Sequence, residues 1–338
     1  MSSNIAAWNT ALGASFEVKP APLGIPRENE ILVKNHAIAI NPADGKVQYT
    51  VLYPMTYPTI LGEDVSGEVV AVGPGVTRFK IGDRVAGFAV GSMTKRHEEQ
   101  AFQAYTVLKT NMSSEIPDHI PFENAAVIGL GLSTAAQALF SPDCLGLRLP
   151  TAPKQNATGK TVLIWGGASS VGSNAIQLTV AAGYEVITTA SPKNFNYVKK
   201  LGATEVFDYN SPTVTADIVA AFEKKTSAGA FDCIGPNACD QVFQIVQQID
   251  GVKAVATVYF GSADVPEGVT RKGVLATLIK DSHIGKALWE DFLPKALEVG
   301  SFVPAPEPLV VGTGLEKLQE AVDLVRQGVS AKKVVVVL

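Results

Sequence analysis

The run Val162-Leu163-Ile164-Trp165-Gly166-Gly167-Ala168-Ser169-Ser170-Val171-Gly172 constrains the fold more than any other part of the chain. Its apolar start reads as a strand covered on both faces, the Gly/Ser run as a tight turn, and the residues beyond as a helix. A helix entered this way points its unpaired first N–H groups and the positive end of its dipole at the turn, where a phosphate can sit. Gly167, Ser169 and Gly172 keep the spacing of a dinucleotide-binding turn, with serine in place of the middle glycine. Alone this is a weak signal, because any sharp strand-to-helix turn wants glycine. Its weight comes from repetition. Strands are expected at residues 161–165, 184–190, 205–209, 231–234 and 253–258, separated by helices at 171–182, 195–201, 214–225 and 238–249. Such alternation predicts a parallel sheet with helices on both faces.

The first 120 or so residues have a different rhythm, with β-branched runs at 31–40, 65–72, 83–90 and 102–108 broken by turns such as Gly73-Pro74-Gly75. They read as an irregular β domain. After about Lys280 a helix, a strand, a helix at 314–327 and a closing strand at 333–338 are expected to return to it. A chain of 338 residues exceeds one ordinary core, and the expected division is 1–125, 126–282 and 283–338. Residues 125–140 read as one buried helix and 141–158 as a surface loop.

With 46% hydrophobic and 18% charged residues the chain can bury large sheets. A net charge of −4 with no basic block beyond pairs such as Lys199-Lys200 and Lys332-Lys333, read as solvated faces, excludes an electrostatic footprint for nucleic acid. Cys144, Cys233 and Cys239 have neither disulfide nor metal-ligand spacing, which fits a reducing compartment. No signal-peptide pattern opens the chain, and its longest apolar stretch is too short to span a bilayer; a cytoplasmic protein without membrane partners is expected.

The second expected strand ends in Ala190-Ser191-Pro192-Lys193-Asn194, where an NAD site would carry an acidic residue for the ribose hydroxyls. A carboxylate repels a 2′-phosphate, whereas the groups of Ser191, Lys193 and Asn194 bind one. NADPH is the expected cofactor. Tyr209 either joins that phosphate or adenine, or simply caps a strand end.

Asn41-Pro42-Ala43-Asp44, Gly62-Glu63-Asp64-Val65-Ser66-Gly67 and the nucleotide turn, in that order, resemble the medium-chain dehydrogenase/reductase superfamily over essentially the whole chain. The stretches Gly129-Leu130-Gly131-Leu132-Ser133-Thr134-Ala135 and Leu145-Gly146-Leu147-Arg148-Leu149-Pro150, with the Ala190–Phe195 run, look like its fungal trans-acting enoyl reductases of polyketide biosynthesis. The implied fold is α/β, a Rossmann doubly wound parallel sheet inserted in a GroES-like, largely β domain. Alcohol-oxidising members hold zinc with Cys, His and Glu or Cys ligands. Here Ile38-Ala39-Ile40-Asn41 stands where the first cysteine would precede Asp44, and Leu61-Gly62 where a histidine would precede Glu63. His36, His97, His119 and His283 are scattered, so a zinc-free site is expected and Glu63 is read as a structural acceptor.

The resemblance implies that Pro42, Asp44, Lys46 and Thr134 line the nicotinamide side, with Lys46 and Thr134 as the catalytic candidates. Ser169, Ser170 and Val171 join Gly167 and Gly172 around the pyrophosphate, and Gly235, Tyr259 and Phe260 face the nicotinamide half. Each has a plainer alternative: an exposed lysine, a helix-start hydroxyl, a strand-end turn. Tyr49, Tyr53, Lys46 and water are open candidates for the proton donor. The expected activity is NADPH-dependent reduction of an α,β-unsaturated acyl thioester, with a polyketide synthase as a possible partner and a monomer or homodimer as the assembly. Quinone reduction and catalytically silent NADPH binding are the alternatives.

Overall fold

The computed structural model describes residues 4–51 and 55–338. They divide into two compact units, one of residues up to Leu130 together with Val303–Leu338, the other of Gly131–Phe302. The strands in chain order are β1 Asn4–Asn9, β2 Phe16–Ala21, β3 Glu30–Ala39, β4 Thr59–Ile60, β5 Asp64–Val72, β6 Arg84–Phe88, β7 Tyr105–Lys109 and β8 Ser113–Glu115. They continue with β9 Lys160–Trp165, β10 Glu185–Ala190, β11 Glu205–Asp208, β12 Thr226–Asp232, β13 Ala254–Thr257, β14 Thr270–Gly273, β15 Pro308–Thr313 and β16 Lys333–Val337.

The first unit carries a small sheet in the order β2-β1-β4 and a larger one in the order β15-β16-β3-β5-β6-β8, with β7 also paired to β3. The tail returns as expected: β16 runs antiparallel to β3, with Val335 opposite Ala39. Val334, Val335 and Val336 are all fully buried, because β16 lies inside the sheet and is covered on both faces. The helix Leu318–Gln327 turns Leu318, Ala321 and Val322 into the same core as Ile31, Val33, Val65 and Val85.

The second unit is a six-stranded, wholly parallel sheet in the order β11-β10-β9-β12-β13-β14. The order reverses between β9 and β12, which opens a crevice at the carboxyl ends of those two strands. Helices Ser170–Ala181, Phe195–Lys200, Val214–Ala221 and Pro236–Gln248 link the strands, and Leu163, Ile187, Phe222, Ala230, Val242 and Val255 form part of its core.

Several expectations change. The single helix expected over 125–140 is two, Phe122–Ala125 and Gly129–Phe140, separated by a turn. The helix expected to reach Lys225 stops at Ala221, and β12 starts at Thr226 rather than 231, because Thr226-Ser227-Ala228-Gly229 is too small and polar to read as a strand. Strand β14 was not foreseen; Thr270-Arg271-Lys272-Gly273 has no apolar run. Residues 283–302, expected to return to the first domain, belong to the second unit. There Ile284, Leu288, Trp289 and Phe292 are buried, and Lys295 and Val299 share a cavity wall with Gln177 and Val180.

Close pairing in the first unit requires glycine at residue 67. A Cβ there would stand 2.0 Å from the carbonyl oxygen of Lys34, beside a register shift between β3 and β5. Gly67→Ala should destabilise the protein by about 1–3 kcal/mol through this overpacking, measured as a lower urea midpoint with an unchanged m-value. An unshifted midpoint would mean that the two backbones separate at no cost.

Candidate functional site

The nucleotide turn lies in the second unit, at the carboxyl end of β9. Gly166 takes φ +85°, and a Cβ on it would meet the Ile234 side chain at 2.5 Å. A Cβ on Gly167 would lie 2.2 Å from Thr188 Oγ1, and one on Gly172 2.2 Å from the Gly166 carbonyl oxygen. Gly167 is therefore fixed by the close approach of β10, and Gly172 by that of the 170–181 helix to the turn. Serine is accommodated between them because its hydroxyl works locally. Ser169 Oγ accepts from Gly172 N at 3.0 Å and donates to Gly166 O at 2.8 Å, capping the helix. That bracing leaves the first-turn N–H groups of Ser170 and Val171 for an anion. Ser170 Oγ is buried without a hydrogen-bond partner among the described residues. Such a cradle fits a dinucleotide pyrophosphate.

Thr188 and Thr189, not singled out from sequence, hold the turn from β10. Thr189 Oγ1 accepts from Gly166 N at 2.9 Å, Thr189 O accepts from Gly167 N at 2.9 Å, and Thr188 Oγ1 donates to Ile164 O at 2.6 Å. Two consecutive hydroxyls ending a buried strand were the available signal.

The other expected cofactor residues follow the carboxyl ends of neighbouring parallel strands. Ser191, Lys193 and Asn194 come after β10, and Asn194 Nδ2 donates to Ser191 Oγ at 3.1 Å. Lys193 is exposed. Tyr209 follows β11, whose Asp208 pairs with Ala190, and is 45% exposed. Gly235 follows β12 at φ +111°. Its turn is held by Asp232, whose Oδ1 accepts from the backbone N–H groups of Ile234 (2.9 Å) and Gly235 (3.0 Å) and whose Oδ2 accepts from Thr257 Oγ1 at 2.7 Å. Tyr259 and the exposed Phe260 follow β13. Thr134 sits in the middle of Gly129–Phe140 and is only 7% exposed, so its hydroxyl is not the helix-start group of the plainer alternative.

The first unit gathers the remaining residues around a buried acidic centre. Pro42 is exposed at the first position of the helix Pro42–Tyr49, as its fixed φ favours. Asp44 is buried, with its Oδ2 accepting from Asn41 N at 2.7 Å. Burial pushes its carboxyl up to about 7, with the neighbouring Asp64 adding to the rise. Asp64 is fully buried. Its Oδ2 accepts from Lys333 Nζ at 2.8 Å and Asn41 Nδ2 at 3.0 Å, and its Oδ1 accepts from Leu130 N at 2.5 Å. Lys333 also donates to Asn41 Oδ1. Expected on a solvated face, it is 3% exposed, because β16 is an inner strand and Asp64 supplies the counter-charge. Glu63, as expected, accepts a hydrogen bond, from Ser92 Oγ at 3.1 Å. Burial of its carboxyl, then the charges of Asp44 and Asp64, push it up to about 8.

Lys46 is exposed near the end of its helix. Tyr49 is tied to its own unit, donating to Asp323 Oδ1 at 3.4 Å and accepting from Gln319 Nε2 at 3.2 Å, with the Arg326 guanidinium 3.8 Å from its ring centroid. Tyr53 lies outside the described residues. The donor set does not fit zinc. His36 stacks on Phe122 and His97 packs edge-on to Trp8. All three cysteines belong to the other unit, and the Asp64 oxygens are committed to an ammonium and two N–H groups. Among the described residues no three His, Cys, Asp or Glu side chains are grouped to hold a metal.

Comparison with known proteins agrees with the two-unit fold. Residues 27–118 match the alcohol dehydrogenase GroES-like domain and 170–282 the zinc-binding dehydrogenase family. The zinc-binding alcohol dehydrogenase domain-containing protein cipB of Emericella nidulans is 57% identical over 99% of this chain and 98% of its own. The trans-enoyl reductase himH of Aspergillus japonicus is 40% identical over 98% of this chain and 97% of its own. Among solved structures, an alcohol dehydrogenase superfamily protein from Novosphingobium aromaticivorans superposes with a TM-score of 0.79 at 25% identity, over 99% of each chain. Among the described residues no helix is long and apolar enough to cross a membrane.

Removing the ammonium while keeping its bulk tests the buried pair. Lys333→Met leaves Asp64 as an uncompensated buried charge and should cost about 3–5 kcal/mol of stability at neutral pH. Chemical denaturation measures it, and a loss below about 1 kcal/mol would show that Asp64 is sufficiently held by its N–H donors.

Proposed function

The chain belongs to the medium-chain dehydrogenase/reductase superfamily, and from that membership we propose that it is an NADPH-dependent enoyl reductase acting on the C=C bond of an α,β-unsaturated acyl thioester. Membership and the parallel dinucleotide sheet make it an oxidoreductase that uses a nicotinamide cofactor. The finer reading is carried by one observation: a well-formed dinucleotide turn accompanies an acidic centre whose donors suit an ammonium rather than zinc. The relative named a trans-enoyl reductase supports it, and in this reading a polyketide synthase supplies the thioester.

Alcohol oxidation in this superfamily relies on a Lewis acid to stabilise the alkoxide. Conjugate reduction does not, because the charge moves to a carbonyl oxygen that ordinary hydrogen-bond donors can hold. When bound, the dinucleotide supplies the hydride. The Gly167–Gly172 turn, with Ser170 and Val171, holds its pyrophosphate. Ser191, Lys193 and Asn194, joined by Tyr209, hold the 2′-phosphate. Gly235, Tyr259 and Phe260 flank the nicotinamide half. Pro42 and Asp44 shape the helix start that carries Lys46, which donates to the carbonyl oxygen, and Thr134 orients the reacting groups.

With NADPH deuterated at its transferable position, deuterium should appear at the β carbon of a crotonyl-type thioester and solvent hydrogen at the α carbon. A carbonyl-reduced allylic alcohol, or turnover of quinones alone, would contradict this reaction. Lys193→Ala should weaken NADPH binding by roughly ten- to a hundredfold and leave NADH binding unchanged, the loss of one charge-assisted phosphate contact. Equal weakening of both cofactors would place the phosphate elsewhere.

A further inference from the structure

The strand order of the parallel sheet decides where each half of a dinucleotide lies. The phosphate turn ends β9, and Ser191, Lys193 and Tyr209 follow β10 and β11 on one side of it. A pyrophosphate at β9 with its adenosine phosphate on that side leaves the nicotinamide half over β12 and β13, whose ends lie about 5 and 10 Å from β9 at ordinary strand spacing. Two turns leave the sheet there, at residues 233–235 and 258–261. Each meets its neighbour. A Cβ on Gly166 would stand 2.5 Å from the Ile234 side chain, and one on Gly235 would stand 3.6 Å from Tyr259 Cβ.

One buried pair joins the two turns. Asp232 and Thr257 face each other across β12 and β13, and both are fully buried. Asp232 Oδ1 accepts from the N–H groups of Ile234 at 2.9 Å and Gly235 at 3.0 Å. Its Oδ2 accepts from Thr257 Oγ1 at 2.7 Å and Cys239 Sγ at 3.3 Å. The Thr257 hydroxyl, its hydrogen given to Asp232, accepts from Tyr259 N at 3.1 Å. Arg271 Nη2 donates to Tyr259 O, so both backbone polar groups of Tyr259 are held. Its ring folds back until a Cβ on Gly261 would lie 2.1 Å from Oη, while Phe260 stays 66% exposed. None of these four donors to Asp232 is a cation, and enclosing a carboxylate among neutral donors is costly. The arrangement secures one geometry for both turns, because a single carboxylate fixes the first directly and the second through one hydroxyl.

We infer that Asp232 and Thr257 are positioning residues that lock these two turns together beneath the nicotinamide half of the cofactor, so that Gly235 and Phe260 meet it as one surface. The inference rests on the dinucleotide reading given above and not on the substrate assigned with it. Both residues act through the turns, since both are sealed from solvent.

Adenosine 2′,5′-bisphosphate, which carries the phosphate-bearing adenosine and no nicotinamide, separates the two halves. In calorimetric titrations of the full chain, Thr257→Val should weaken NADPH about tenfold and leave the bisphosphate unchanged. Thr257→Ser, which keeps the hydroxyl, should restore NADPH affinity. In amide hydrogen exchange, NADPH should protect Ile234, Gly235 and Tyr259 of the wild type, and the bisphosphate should not. Thr257→Val should speed exchange at all three, including Gly235, whose N–H is held by Asp232 and not by Thr257. Equal losses for the two ligands, an unmoved NADPH affinity, no rescue by serine, or acceleration of Tyr259 alone overturns the inference. Equal protection by both ligands in the wild type also overturns it, and that measurement needs no variant to fold. A wild-type chain that binds neither NADPH nor NADH refutes the dinucleotide reading itself. The predicted split between ligands without enoyl reduction upholds the inference and removes only the reaction.

Discussion

The Lys333–Asp64 pair is the contact on which the first unit depends. One carboxylate, buried completely, receives the ammonium of the last strand, the amide of the residue that begins the Pro42–Tyr49 helix and the N–H of Leu130 at the start of the Gly129–Phe140 helix. These partners lie 269, 23 and 66 residues away in sequence. A buried charge is costly unless paired and hydrogen-bonded, so the chain's two ends must come together before Asp64 can be enclosed. Gly129 completes the fit, since a Cβ there would lie 2.2 Å from the same carboxylate.

The same pair explains the chemistry of its neighbours. Asp64 stays matched to its cation, and the other two acids inherit a site that has negative charge and little water. Asp44 is partly relieved by N–H groups at a helix start. Glu63 has the Ser92 hydroxyl instead, and both carboxyls are pushed up by burial. The Lys333 ammonium occupies Asp64, and among the described residues no three His, Cys, Asp or Glu side chains are grouped to hold a metal ion.

Local periodicity made much of the fold legible. The alternation after residue 160 announced five of the six parallel strands, and the β-branched runs before residue 110 announced the long strands of the first unit. What escaped was decided by tertiary contact. Strand β14 has no apolar run and exists because β13 offers it an edge. Lys333 reads as half of a solvated lysine pair until β16 is known to be an inner strand. The nucleotide turn was visible because its glycines answer to local sterics. The Asp64 centre was not, because its parts are brought together only by the finished sheet.

The central claim is that this chain reduces a conjugated alkene without metal. Turnover of an enoyl thioester by NADPH should be measured on protein dialysed against a strong chelator, with residual metal quantified by elemental analysis. Full turnover at metal contents far below one equivalent, unaltered by added Zn2+, is the predicted result. Activity that disappears with the metal and returns with one equivalent of Zn2+ would contradict it.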